Sequence, residues 1–492
     1  MDDIQGDYVS SLYFPKPEGT GDSYKVRGLM DPYPNAVDTE LERMRLDGVE
    51  GFIRVIQVAA SEWSLAMGRS ADLGFAKEDW RKGFKQLWLH PSQRRLYGIH
   101  LKHWASNKVM VLFPNVIVFG PRKGPAQFSR APLLICHILR KVFHIPAHPH
   151  IDDIAILEEC GPIGDQAHRI VVGLHELCGW KLNQAKRFPV GLPTLAQAGV
   201  VLGLRIALVH PSHESAKTIV ATAELDDIKA SKYIALLDDC LARSELTASD
   251  ADKVAGQGSY TQTHCWKRSS RVLLWPLYER SRRPGLRHMT PHLAWCCQGL
   301  RCLYQQRTPR YIPHLGASGP RAEVYTDARG TVAGEWGSEY LGGLLHFEGI
   351  FEYYMSPVDL VGAEHLDPHG FHRINQCEGL AALVALSTWA QRLRGSWVTL
   401  YIDNQAAEVT LAKGYSRSLL MAKMSASFWR LAERNHIGVF IQRVPSSLNP
   451  SDALSRGDDS EALSLGATRV RARCEPSSRF GWSPCNDVMP YR

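Results

Sequence analysis

The 492-residue sequence has no apolar run long enough to span a bilayer. It begins MDDIQGDYVSS, acidic and polar, without the basic start and apolar stretch of a secretory signal. Both absences point to an intracellular protein of the cytoplasm or nucleus, neither secreted nor membrane-bound. Its cysteines number eleven, an odd count, and form no CxxC pair, which suits reduced thiols better than a disulfide framework. No internal repeat recurs at solenoid periods, so a stacked-repeat architecture is excluded. Extremes of composition are missing too. At 45% hydrophobic and 22% charged residues, with a net charge of +7, the chain has the makings of ordinary globular domains. Its length allows between two and four of them.

What the chain does contain is unevenly spread. Residues 1–70 open with turn-rich stretches, followed by a helix through EGFIRVIQVAASEWSLAMG. Residues 71–215 alternate short apolar runs with Gly/Pro turns, an α+β pattern. KVMVLFPNVIVFG reads there as a hairpin, and HIDDIAIL as a hairpin with two acids at its tip. APLLICHILRKVF and AHRIVVGLHELCGW read as helices. Residues 216–318 are mainly helical and turn basic. From Lys267 to Arg310 they carry Lys267, Arg268, Arg271, Arg280, Arg282, Arg283, Arg287, Arg301, Arg307 and Arg310 against the lone Glu279. Trp266, Trp275, Tyr278, Trp295 and Tyr304 are interleaved. Basic side chains neutralise phosphates and aromatics stack on bases, although a solvated basic helix face has the same composition.

A new pattern occupies 319–458. EVYTDARG reads as a strand ending in an acid, QCEGLAALVALSTWAQRL as an amphipathic helix, SWVTLYIDN as a second strand ending in an acid, and IGVFIQRVP as a further strand. LNPSDALSR starts a last helix. From 459 to 492 the chain reads as a polar, irregular tail.

Four carboxylates stand out in this last third. Asp327 and Asp403 close strands, Glu378 sits in the first turn of the helix, and Asp452 begins the final helix. Any one of them alone is more often a cap or a turn residue. Together they have the makeup of a two-metal phosphodiester hydrolase, whose hard oxygen ligands hold two ions roughly 4 Å apart and select Mg²⁺ or Mn²⁺.

In order and spacing, YTDA, NQCEGLAALVAL, YIDNQAAEV and NPSDALSR resemble the type 1 ribonuclease H domain attached to reverse transcriptases of retroelements. The resemblance implies an α/β domain with a mixed five-stranded sheet, and metal ligation by Asp327, Glu378, Asp403 and Asp452. It also implies cleavage of the RNA strand in RNA–DNA hybrids. Many relatives have a His in the loop before the last acid; Ser446, Ser447 and Asn449 stand there instead.

The preceding part resembles a reverse-transcriptase palm, particularly that of DIRS-like and related retrotransposons. EDWRKGFKQLWLHP resembles the first palm motif and HIDD the catalytic hairpin. FGPRKGPAQFSRAP resembles the second motif, GWKLNQAKR the fourth, and VLGLRI the primer grip. This implies metal binding by Asp79 and Asp152 with Asp153 alongside. It also implies a steric gate at Phe84, template and nucleotide contacts at Gly120 and Pro125, and a phosphate contact at Lys186. Each active site would use two Mg²⁺ or Mn²⁺ ions; the partners would be an RNA template, a DNA primer, the hybrid and deoxynucleoside triphosphates. Residues 1–70 would be partial fingers, with Lys25 and Arg27 as candidate triphosphate contacts, and 216–318 the helical thumb and connection. His150 replaces the usual Tyr of the hairpin, and Gly83 a usual Ala. No protease, integrase or recombinase segment is evident.

Two other readings come with this one: a working nuclease beside a non-polymerising palm, and a non-catalytic nucleic-acid-binding descendant. Two histidine-bearing groups have looser spacing. His288, His292, Cys296, Cys297 and Cys302 read as a packed helix more readily than as a zinc site, and the row His144, His148, His150 as incidental.

Overall fold

The computed structural model describes residues 48–474 and the strands Ser10–Glu18 and Lys25–Asp31, apart from 69–70, 103–104, 119–123, 192–194, 214–218, 308, 316–318, 331–338, 362–365, 367–372 and 417. It is a mixed α/β protein with several sheets. No described helix is long and apolar enough to cross a membrane. The chain divides into two compact units, residues 1–202 with 207–220, and residues 203–206 with 221–492.

The first unit begins with β1 (Ser10–Glu18), β2 (Lys25–Asp31) and α1 (Gly48–Met67), the last matching the helix read from sequence. Next come β3 (Leu73–Asp79), β4 (Gly98–Lys102) and β5 (Val109–Leu112). Strands β2-β1-β4-β5 form one sheet. The hairpin expected within 108–120 is not formed: β5 pairs backwards with β4, and Val116 bridges Trp88. The left-handed residue lies ahead of β5, at Asn107 (φ 56°), so the chain reverses one strand earlier than expected.

Helix α2 (Gly124–Val142), strands β6 (Ala147–His150) and β7 (Asp153–Glu159), and α3 (Pro162–Leu177) complete the scaffold of the first site. Strands β3-β7-β6 form a second sheet. One side of it is sealed by Phe128, Ile135 and Leu139 of α2 and Val171 of α3, packed with Ile154 and Ile156 in one apolar cluster.

After strand residues at 204–206 and 221–225, the second unit continues with the helices α4 (Asp227–Ala242), α5 (Ala248–Thr261), α6 (Trp275–Ser281) and α7 (Pro291–Gln306). Their starts are written in the sequence. Asp226, Thr247 and Thr290 each accept a backbone N–H three residues on, which satisfies a donor the helix itself cannot. Cys296 and Cys297 are fully buried within α7.

After this come β8 (Arg321–Arg329), β9 (Tyr340–Phe347), β10 (Ile350–Pro357), α8 (Arg373–Trp389) and β11 (Trp397–Ile402). They are followed by α9 (Gln405–Lys413), α10 (Leu419–Arg434), β12 (Gly438–Arg443), α11 (Ser451–Ser455), α12 (Ser460–Ser464) and β13 (Thr468–Arg469). The sheet order is β12-β11-β8-β9-β10-β13. An antiparallel meander β8–β9–β10 is extended on one side by the parallel strands β11 and β12.

Three sequence expectations need correction here. The sheet has six strands, not five, because β13 pairs in parallel with β10. Within the irregular tail expected over 459–492, residues 460–469 form α12 and β13, with Ala462 and Ala467 buried under the sheet, and 475–492 lie outside the described residues. Helix α8 is not amphipathic: every residue from Gln376 to Leu386 is buried. It packs in one cluster with Val324 and Leu400 of the sheet and with Met421, Met424 and Phe428 of α10. A helix sheathed on all sides needs no polar face, and its small residues reflect that.

Candidate active sites

In the first unit, β3 runs antiparallel to β7 with Asp79 opposite Asp153, and β6 pairs with β7 through His150 and Asp153. Only Ile151 and Asp152 remain for the turn, and Trp80 N–H donates to the Asp152 carbonyl at 2.9 Å. Asp79, Asp152 and Asp153 therefore meet at one end of the sheet. Ile151 has φ 53°, a conformation a β-branched side chain resists, so the turn stores strain beside the acids.

Asp79 is 4% exposed. Lys186 Nζ lies 2.6 Å from its Oδ1, and Asn183 Nδ2 donates to Oδ2 at 3.2 Å. Lys77 Nζ is 3.6 Å from Asp153 Oδ2. Burial raises the Asp153 carboxyl above its ordinary value; Lys77 opposes this, and Asp152 and Asp79 add to it. Burial alone would lower Lys186, but its bond to Asp79 and the surrounding acids outweigh that and raise it. His150 is lowered by burial against the pull of Asp152, and its buried Nδ1 has no hydrogen-bond partner.

Phe84 is 7% exposed and stacks on Phe128, centroids 4.5 Å apart and planes at 10°. A Cβ at Gly83 would fall 2.8 Å from Phe128 Cζ and 3.1 Å from Asp152 Cβ, so glycine is what this contact demands. Pro125 lies in the first turn of α2, where its carbonyl accepts the Ser129 hydroxyl at 2.8 Å. Gly120 lies outside the described residues, as do the side chains of Lys25 and Arg27.

Sequence reasoning missed a buried group next to Asp79. Glu78, 1% exposed, accepts from His168 Nε2 at 2.8 Å and pairs with Arg187 Nε at 2.6 Å. The pairs Glu78–Asp79 and Lys186–Arg187 thus grip each other across two strand faces. No local pattern announces this group, since the acids and bases lie far apart in the sequence and strand alternation sends Glu78 and Asp79 to opposite faces.

In the second unit, the parallel pairing of β8 with β11 runs to Thr326 opposite Ile402. Asp327 and Asp403 follow directly. Asp327 lies within β8, not at its end, opposite Gly342 of β9. Glu378 is the sixth residue of α8, in its second turn instead of the first. Asp327, Glu378 and Asp403 each offer an oxygen within 4.8 Å of the others. Asp327 and Glu378 are each 4% exposed, and Asp403 is half-buried.

Burial, reinforced by Asp403 and Asp452, pushes Asp327 up to about 7 despite a bond from Ser455. Burial and the charges of Asp327 and Asp403 push Glu378 up to about 9. Glu378 Oε2 is buried with no hydrogen-bond partner. Two buried carboxylates and a half-buried third, with one unsatisfied oxygen, suit a hard divalent cation, whose charge offsets their repulsion.

Asp452 stands outside this tight group. Its Oδ1 accepts from Arg456 Nη2 at 2.8 Å, although its charge still reaches Asp327 and Glu378. Asn449 fixes its approach, donating to the Thr326 carbonyl at 3.0 Å and accepting from Ser451 N–H at 3.2 Å. Gly342 makes room: a Cβ there would lie 2.6 Å from Ser455 N.

The basic stretch is less free than its composition suggests. Arg280 is buried and donates to the Leu246 and His288 carbonyls at 2.9 and 2.8 Å. Arg301 pairs with Asp238, Arg307 with Asp227, and Arg268 lies over Trp429. Trp266 and Tyr304 are core residues. Lys267, Arg271, Arg282, Arg283 and Arg287 are exposed.

No protein-family signature matches the sequence, and no curated protein matches it. Solved structures similar in backbone trace include three of foamy viral protease-reverse transcriptase. One is the dRH form with double-stranded DNA, at TM-score 0.44 and 11% identity, covering 89% of this chain and 66% of that one. The second, with an RNA/DNA hybrid, has TM-score 0.41, 11% identity, and coverages of 89% and 51%. The third, with double-stranded DNA, has TM-score 0.45, 11% identity, and coverages of 89% and 78%. The chain thus spans between about half and about four fifths of the length of those chains.

Proposed function

We propose that the chain is a retroelement reverse transcriptase with ribonuclease H activity. The second unit would hydrolyse the RNA strand of RNA–DNA hybrids, and the first would extend DNA primers on RNA or DNA. The carrying observation is the convergence of Asp327, Glu378 and Asp403 within 4.8 Å, with one buried Glu378 oxygen unsatisfied. It is supported by the order of the acids along the chain. The kinship with DIRS-like elements rests on the palm motifs.

Asp327, Glu378 and Asp403 would hold the first Mg²⁺ or Mn²⁺, and Asp452, released from Arg456, would complete a second site. Bound there, the ions would supply an activated water and stabilise the leaving oxygen. The protein's own share is to hold Asp327 and Glu378 buried side by side. With Ser446, Ser447 and Asn449 in place of a His before Asp452, product release would fall to the ions and solvent. In the first unit, Asp79 and Asp152 would bind ions beside the primer end, with Phe84 and Pro125 lining the nucleotide and Gly120 the template. The exposed Lys267, Arg271, Arg282, Arg283 and Arg287 would contact phosphates.

A second reading keeps the nuclease and makes the first unit a scaffold. It is favoured by one observation: Lys186 and Asn183 already occupy both Asp79 oxygens. A hybrid with an extendable primer separates the two. The full reading expects RNA cutting to be lost in Asp403→Asn and extension in Asp152→Asn, each alone. Cutting without any extension favours the scaffold, and binding without either reaction favours a non-catalytic descendant.

A further inference from the structure

We infer that Asn404 is a positioning residue that locks the elements delivering Glu378 and Asp403 together, and so sets the cation affinity of their cluster. This rests on the proposed metal role of the cluster. Asp403 and Glu378 come from elements distant in sequence, one from the end of β11 and the other from α8. Neither carboxylate is joined to the other by a hydrogen bond that would fix the spacing, and their charges repel. The apolar cluster seats α8 on the sheet, and a directional contact at its first turn can fix the spacing of the two acids.

Asn404 directly follows Asp403, and both ends of its amide are used. Its Oδ1 accepts from Ala407 N–H at 3.0 Å, capping α9. Its Nδ2 donates to Asn375 Oδ1 at 2.9 Å. Asn375 lies in the first turn of α8, three residues before Glu378 and so on nearly the same face. One side chain therefore fixes the chain direction after Asp403 and ties it to the turn of helix that precedes Glu378. Asp or Ser would cap α9 equally well. Of the common caps, Asn alone supplies both the capping acceptor and an amide donor for Asn375. Arg373 holds the same turn from another side, through its ion pair with the fully buried Glu339 at 2.5 Å.

Second-layer contacts of this kind tune affinity without touching the ion, and their loss costs about tenfold or more in binding. Asn404→Ser keeps the cap and removes the tie, whereas Asn375→Ala removes the tie from the other side and leaves the cap untouched. The experiment titrates Mn²⁺ into the full chain by calorimetry and counts only the binding abolished by Asp403→Asn. Thermal melting of each variant is followed in parallel. Each single variant is expected to weaken that binding about tenfold, and the double variant no further, since both delete one contact. Unchanged Mn²⁺ affinity in variants that melt lower would reduce Asn404 to a cap and overturn the inference. If the wild type shows no Mn²⁺ binding sensitive to Asp403→Asn, the metal role itself fails, a result distinct from the first.

Discussion

Lys186 Nζ sits 2.6 Å from Asp79 Oδ1, so the first unit carries its own cation at the carboxylate proposed to bind metal. Lys186 is 58% exposed along its side chain, whereas Asp79 is 6%. The lysine can swing into solvent and the acid cannot follow.

This asymmetry predicts the outcome of Lys186→Met. Without metal, Asp79 loses its cation while remaining buried, and stability should fall by about 1–2 kcal/mol, between an exposed pair and a buried one. Mg²⁺ should restore more of the loss in the variant than it adds to the wild type. Denaturant unfolding with and without Mg²⁺ checks this; equal Mg²⁺ effects would mean that the lysine and the ion do not compete.

Gly83→Ala tests the packing beneath the acidic hairpin. The added methyl must displace Phe128 or Asp152, which should cost about 1–3 kcal/mol, as other overpacked cores do. Phe128→Leu should recover most of that loss by opening the space. A neutral Gly83→Ala, or one that Phe128→Leu fails to rescue, would contradict the contact.

The carboxylates of the second unit predict a pH dependence of definite sign. Burial raises Asp327 to about 7 and Glu378 to about 9, so the folded chain keeps protons that the unfolded chain has lost. Their contribution to stability is full below the ordinary carboxylate range and is lost as pH rises through about 9. Cation binding needs the deprotonated form, so the rise in melting temperature on adding Mg²⁺ should grow between about pH 6 and about pH 8.5. Glu378→Gln should melt higher than wild type at the upper pH without metal, and should respond less to Mg²⁺. A Mg²⁺ response independent of pH would contradict the burial argument.

The second unit was more legible than the first because its strands and helices announce themselves locally. Alternating apolar residues mark β8 and β11, and Asp327 and Asp403 fall where their pairing stops. The environment of α8 was not legible: periodicity cannot tell a half-buried helix from one sheathed by α10 as well as by the sheet. The sixth strand was missed because two residues, Thr468 and Arg469, carry no pattern of their own. In the first unit, the hairpin acids and Asp79 were visible as residue types. The phosphate contact at Lys186 is implied by the fourth-motif resemblance; its bond to Asp79 was not legible, because the two lie 107 residues apart and no local rule links them. Which residues of the basic stretch face solvent was not legible, since the buried Arg280 and the exposed Arg287 look alike in sequence.

The central claim is tested most directly by following an end-labelled RNA strand, annealed to DNA and presented with Mg²⁺. The wild type and Asp403→Asn are compared with the same RNA single-stranded and in an RNA duplex. The account predicts cutting of the RNA only in the hybrid, only with metal, and a loss of at least about a hundredfold in the variant, as expected when a metal ligand of a two-ion site is neutralised. An intact hybrid with wild-type protein in both Mg²⁺ and Mn²⁺, or equal cutting by Asp403→Asn, would contradict it.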